Sequence, residues 1–164
     1  MQYQSSLMTK LLITNAGLGA SILRIVVGFI LSAHGAQKLF GWFGGYGLEG
    51  TGQFMASLGL EPGVLMAILS GSAEFFGGLL LMLGLLTRPA ALINAFVMLM
   101  AIFTVHFANG LFMSNNGYEF ALTLLAATVA LAIQGGGKFS FDQYLTRTAI
   151  STTPGYSAAT AVSS

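Results

Sequence analysis

The chain has 164 residues, of which 55% are hydrophobic and 7% charged, with a formal net charge of +1 and a mean hydropathy of +0.80. Such a chain is one integral membrane domain. Its near-zero charge gives nucleic acid nothing to bind, and the absence of cysteine excludes disulfides, thiolate chemistry, Cys-ligated iron–sulfur centres and haem attachment through C-x-x-C-H.

Residues 1–17 read as a polar cytoplasmic N-terminal segment. The first apolar run, Leu18–Phe40, carries Arg24 and His34, which a cleaved signal would not, so it is expected to be a retained span. The Gly-rich segment Gly41–Glu61 follows. Within it Thr51 to Leu58 is predicted to form a short helix with Thr51 as N-cap, and Trp42, Leu48 and Phe54 suggest that it dips into the interface. The second span is predicted at Gly63–Leu85, the third at Pro89–Ala108 and the fourth at Gly117–Gln134, with Pro62 and Pro89 in first-turn positions. Gly110, Gly117 and Gly135 to Gly137 mark breaks. No barrel-like alternation recurs. The fold class expected is therefore all-α, an integral membrane four-helix up-down bundle over residues 18–137. Residues 138–150 alternate aromatic and polar side chains as an interfacial stretch would, and the Ser/Thr/Ala-rich residues 151–164 read as a disordered tail.

Orientation follows from Lys and Arg. Lys10, Arg88, Lys138 and Arg147 fall on one side of an even-span chain, and Glu49 and Glu61 on the other with Lys38. The expected location is a bacterial plasma (inner) membrane, multi-pass, with both termini cytoplasmic.

Six ionisable groups lie within or at the edges of these spans: Arg24, His34, Lys38, Glu74, His106 and Glu119. A charge at bilayer depth costs at least about 2.5 kcal/mol, so such groups usually pair and serve a purpose. His34 and Lys38 lie one turn apart on one face. His106 near the end of the third span and Glu119 near the start of the fourth fall at the same calculated depth, with Gln37 and Tyr118. These four are expected to line one ligand-binding pocket capped by the Gly41–Glu61 segment. Deeper, Arg24 lies roughly 24 Å and Glu74 roughly 17 Å from the outer end, a gap of about 7 Å that two long side chains bridge. They are predicted to form a buried ion pair, with Asn94 adding a hydrogen bond. Each group also has a structural reading. The pair can fix helix register, Lys38 can snorkel, His106 can be interfacial, and Glu119 can complement a helix N-terminus. Gly71, Ala73, Gly77 and Gly78, with Ser32 and Ala36, permit close helix approach. The methionines read as core filler rather than metal ligands, and no metal site is expected. No nucleotide-binding, metalloprotease or nucleophile-elbow motif occurs.

The run His34-Gly35-Ala36-Gln37-Lys38-Leu39-Phe40-Gly41 resembles the first-span motif of DoxX-type membrane proteins. Glu74-Phe75-Phe76-Gly77-Gly78 through Thr87-Arg88 resembles their second-span motif, and Arg24 and Gly117-Tyr118-Glu119-Phe120 match as well. The resemblance covers about residues 18–145. It implies a four-helix inner-membrane protein. Some relatives are subunits of thiosulfate:quinone oxidoreductase, and others are linked to quinone or catechol stress or to redox-stress complexes with soluble partners.

Two functional expectations follow. One is a redox- or quinone-linked membrane subunit acting with a redox partner protein. It has no intrinsic cofactor and binds a quinone, with His34, Lys38, His106 and Glu119 as hydrogen-bonding groups and Trp42, Phe43 and Tyr118 packing on the ring. The alternative is a non-enzymatic transport, structural or stress-response component, for which a homo-oligomer among membrane lipids would supply the path.

Overall fold

Helix α1 spans Leu18–Phe40 in a computed structural model that describes residues 17–151. The N-terminal segment and the tail expected from the sequence lie outside these residues, except for Gly17 and Ser151. After α1 come a 3₁₀ turn at Trp42–Gly44, α2 at Gly47–Ser57 and α3 at Gly63–Leu83. Helix α4 begins as Thr87–Ala101 and continues through a π turn, Ile102–His106, into a 3₁₀ turn at Phe107–Asn109. A further 3₁₀ turn at Met113–Asn115 precedes α5 at Glu119–Gln134, and α6 runs Phe141–Ser151. The described residues contain no strand.

Three helices are long and apolar enough to cross a membrane: Leu18–Phe40, Gly63–Leu83 and Thr87–Asn109. Helix α5 has 16 residues, about 24 Å at 1.5 Å per residue. Leu and Phe side chains cover the outside of the bundle, as a chain dissolved in hydrocarbon requires, while Leu31, Leu81, Leu124 and Leu131 pack its interior.

The α1–α3 interface is the most extensive, followed by α4 against α5. Its cause is a seam of small residues. A Cβ at Gly28 would lie 2.6 Å from the Gly78 carbonyl oxygen, and one at Gly35 would collide with the Phe75 backbone. Backbone therefore meets backbone, which is how helices associate where lipid is as apolar as leucine.

Helix α2 differs from its expected form. It begins at Gly47 and Thr51 is inside it, buried. The Thr51 hydroxyl donates to the Lys38 carbonyl (3.3 Å) near the end of α1 instead of capping its own helix. The last turn of α1 has carbonyls without intrahelical partners, and that demand outweighs the local cap. This contact, with Gly52 packed against Val64 and Gly63, folds α2 over the Lys38 end of the bundle.

Gly28→Val should force α1 and α3 apart and cost about 1–3 kcal/mol. Gly19 has open space around it, so Gly19→Val should leave stability unchanged. Thermal unfolding followed by size exclusion in detergent measures both; matched melting temperatures would show that the seam is not where the helices meet.

Candidate functional site

Two clusters of buried polar groups stand out along the bundle. At one end Arg24, 2% exposed, forms the centre of a backbone-capping cluster. Its Nε donates to the Gly136 carbonyl (2.7 Å) and its Nη1 to the carbonyls of Leu81 (3.0 Å) and Met82. Nη2 donates to Phe139 O. Helix α3 ends in a Schellman motif, with Leu85 N bonded to Leu80 O, Gly84 N bonded to Leu81 O, and Gly84 left-handed at φ +69. That motif leaves Met82 O for Arg24. Beside it both carboxylate oxygens of Asp142 accept from the start of α4, at Leu86 N (2.7 Å) and Thr87 N (2.9 Å). Arg88 donates likewise to Ala132 O (2.9 Å) and Ile133 O (2.8 Å) at the end of α5.

The expected Arg24–Glu74 pair is thus corrected: Arg24 bonds backbone carbonyls and Glu74 pairs with another residue. Leu81 and Met82 lie seven and eight residues beyond Glu74, about 11 Å along α3. At that depth the guanidinium meets the orphan carbonyls of a helix end, and its rigid five-donor fork satisfies several of them at once. Asn94, expected to join that pair, instead donates to Ala73 O (3.2 Å) and Ala90 O (3.0 Å).

At the other end Glu74, 1% exposed, accepts from Lys38 Nζ through Oε1, and this is the ion pair among the described residues. Lys38 is 27% exposed. Glu74 Oε2 has no hydrogen-bond donor among the described residues. His34, one turn below Lys38, lies within electrostatic reach of both Glu74 and Lys38 and packs its ring on Phe120 at 5.7 Å. Polar groups and rings are interleaved here. Phe75 follows Glu74 and stands edge-on to Phe40 at 5.2 Å. From there a file of rings continues through Trp42 (5.0 Å from Phe40) to Phe43, and in the other direction to Phe76 (5.2 Å from Phe75). Phe40, Trp42, Phe43 and Phe76 are exposed. Phe43 holds a left-handed backbone, φ +55, that a bulky residue rarely adopts.

Of the four expected pocket residues, the structure brings His34 and Lys38 together around Glu74 and engages the other two elsewhere. His106 Nδ1 lies 2.8 Å from Asn116 O, and Glu119 Oε1 accepts from Met113 N at 2.6 Å. Both therefore hold the loop between α4 and α5, and Tyr118 stacks on Phe107. The π turn adds a residue to the last turn of α4 and redirects His106 toward that loop. No hydrogen bond or ion pair among the described residues joins the two sets. Depth alone grouped these residues, but depth does not say which way a side chain faces.

Two further features bear on chemistry. Among the described residues no three His, Cys, Asp or Glu side chains converge as a metal site requires. A groove of about 330 Å³ runs between α3 and α4, lined by Ala73, Phe76, Gly77, Leu80 and Ile93 among others. Its walls are almost wholly apolar and carry no ionisable group, so it offers no acid–base chemistry.

Helices long and apolar enough to cross a membrane, packed around a buried ion pair, define a small helical membrane protein. The chain belongs to the DoxX family, whose profile matches residues 19–107. It is 34% identical over 128 residues to a Bacillus subtilis (strain 168) protein named "Putative oxidoreductase CatD", covering 78% of this chain and 87% of that one. It is 33% identical over 135 residues to "Inner membrane protein YqjF" of Escherichia coli (strain K12), covering 79% and 93%. "Inner membrane protein YphA" of the same organism is 33% identical over 127 residues, covering 74% and 86%. No solved structure matches the chain.

A double-mutant cycle on Lys38→Met and Glu74→Gln should show a coupling of about 0.5–3 kcal/mol, whereas Arg24→Met and Glu74→Gln should add. Unfolding free energies in mixed micelles supply both numbers. Coupling found between Arg24 and Glu74 but not between Lys38 and Glu74 would reverse the assignment.

Proposed function

We propose that this protein is a redox-linked membrane subunit whose Lys38–Glu74 site binds a quinone-type ring and works with a separate electron-transfer partner. The observation that carries the reading is a buried carboxylate, half used by Lys38 and half without a donor, set beside a file of aromatic rings. Burying an ionised carboxylate without full hydrogen bonding is costly, and proteins keep such groups where they act on something. The rings offer apolar faces for a flat ligand, and Lys38 has ammonium protons beyond the one given to Glu74. The name of the Bacillus subtilis relative, which calls that protein an oxidoreductase, points the same way. The chain carries no cysteine and no converging metal ligands among its described residues, so the electrons would come and go through the partner.

In the same reading α5 is the fourth span and both termini face the cytoplasm. Arg88 and Lys138 lie at the Arg24 end, with Arg147 in α6 following, as a positive cytoplasmic face requires. The Lys38 site then opens toward the outer half of the bilayer.

The chain has one tryptophan, Trp42, and it stands in the ring file. Menadione added to the protein in liposomes should quench its fluorescence saturably. The double variant Lys38→Met/Glu74→Gln leaves no charge unpaired, and there the apparent affinity should fall about tenfold, the loss expected for a hydrogen bond to a charged group. Quenching that rises linearly without saturation, alike in both proteins, would mean that no ring is held at this site.

A further inference from the structure

The hydrogen-bonding state of Glu74 distinguishes between the two forms of a quinone-type ring. A dione offers only acceptors. Its carbonyls can accept a hydrogen bond from Lys38 Nζ, but they have nothing to donate to a carboxylate oxygen. Glu74 Oε2 is an acceptor in a residue 1% exposed, and no donor among the described residues serves it. Of the polar neighbours on α1, Ser32 gives its proton to the Phe75 carbonyl at 3.3 Å, and His34, within electrostatic reach of Glu74, makes no hydrogen bond to Oε2. An acceptor left so costs free energy that a bound donor recovers.

We propose that the ring taken by this site is hydroxylated: an aromatic alcohol, the reduced form of a quinone-type pair, donates its O–H to Glu74 Oε2 and is held in preference to the dione. The proposal rests on the reading of the Lys38–Glu74 site as a ring site and specifies which ring chemistry it takes. The second observation behind it is the position of the rings. Phe40 and Phe75 meet edge-on, and each is close in sequence to one member of the ion pair, Lys38 and Glu74. Lys38 is part exposed and carries a flexible four-carbon stem, so it can swing while Glu74 stays fixed. A ring hydroxyl donates to Oε2 and accepts from a free Lys38 N–H, and so uses both unfilled capacities of the pair. An ether of the same shape does only the second.

The test avoids electron transfer by comparing 4-hexylphenol with its methyl ether, 4-hexylanisole. Calorimetric titration of the detergent-solubilised full chain gives the affinity ratio. The phenol should bind at least about tenfold tighter than the ether in the wild type. In Glu74→Gln, where the amide can donate as well as accept, that ratio should fall toward one; micelle partitioning cancels between the two proteins. A measurement that needs no variant is the infrared difference spectrum of the wild type. A carboxylate stretch should shift on adding the phenol and stay unmoved on adding the ether. Equal affinities with no carboxylate shift would overturn the donor requirement while leaving ring binding at the site intact. Failure of both compounds and of menadione to bind would remove the ring site itself, and the present inference with it.

Discussion

A helix that ends inside or near a bilayer leaves carbonyls that neither water nor lipid satisfies, and Arg24 answers that constraint here. From the second turn of α1 it reaches the end of α3 and the Gly136–Phe139 turn at once. Those bonds set the height of α1 against α3. The height in turn sets which small residues meet along the seam, since Gly28 must face Gly78 and Gly35 must face Phe75 and Gly71. With the seam in register, Lys38 at the far end arrives opposite Glu74. Asp142 and Arg88 repeat the device for the start of α4 and the end of α5, so each junction at the Arg24 end is tied by a side chain from another element.

The Lys38 end is built on the opposite principle. An ion pair in a low-dielectric interior rarely gains more than its desolvation costs unless all lone pairs are filled. Glu74 leaves one oxygen unfilled. A pair retained only to fix register would do better with both oxygens bonded, as Asp142 has them. The two carboxylates are nearly equally buried and differ in satisfaction, and that contrast favours a ligand-handling role for Glu74 over a purely structural one.

Much of the fold was legible because hydrophobic run length and glycine breaks are local signals. The first long helix has the bounds Leu18–Phe40 expected for the first span, and Gly63 begins the second long one as expected. The DoxX motifs around His34 and Glu74 were legible for the same reason. The partners of the charged residues were not. Depth counted from span ends placed Arg24 within reach of Glu74, but the count ignored the demand of backbone carbonyls that sequence does not display. Asp142 went unmarked because an alternating aromatic stretch reads as interfacial, whatever one carboxylate within it caps. His106 and Glu119 were grouped with His34 and Lys38 by level alone. The π turn that redirects His106 and the loop backbone that both residues bind have no signature in composition or periodicity.

The two ends share α1 and α3, so one can ask whether events at Lys38 are felt at Arg24. Packed glycine seams do not slide by small amounts: a shift along α1 would drive the Gly28 backbone into Met82 and the Gly35 backbone into Phe75. Arg24 would also have to release several carbonyls together. Side-chain motion of Lys38, by contrast, breaks one bond and opens no backbone contact. The cheapest response to a ligand is therefore local, a rotation of Lys38 about its own stem with Glu74 held still by the seam. A site of this kind recognises its ligand by a fixed acceptor and a movable donor, and it does so without needing the bundle to change shape.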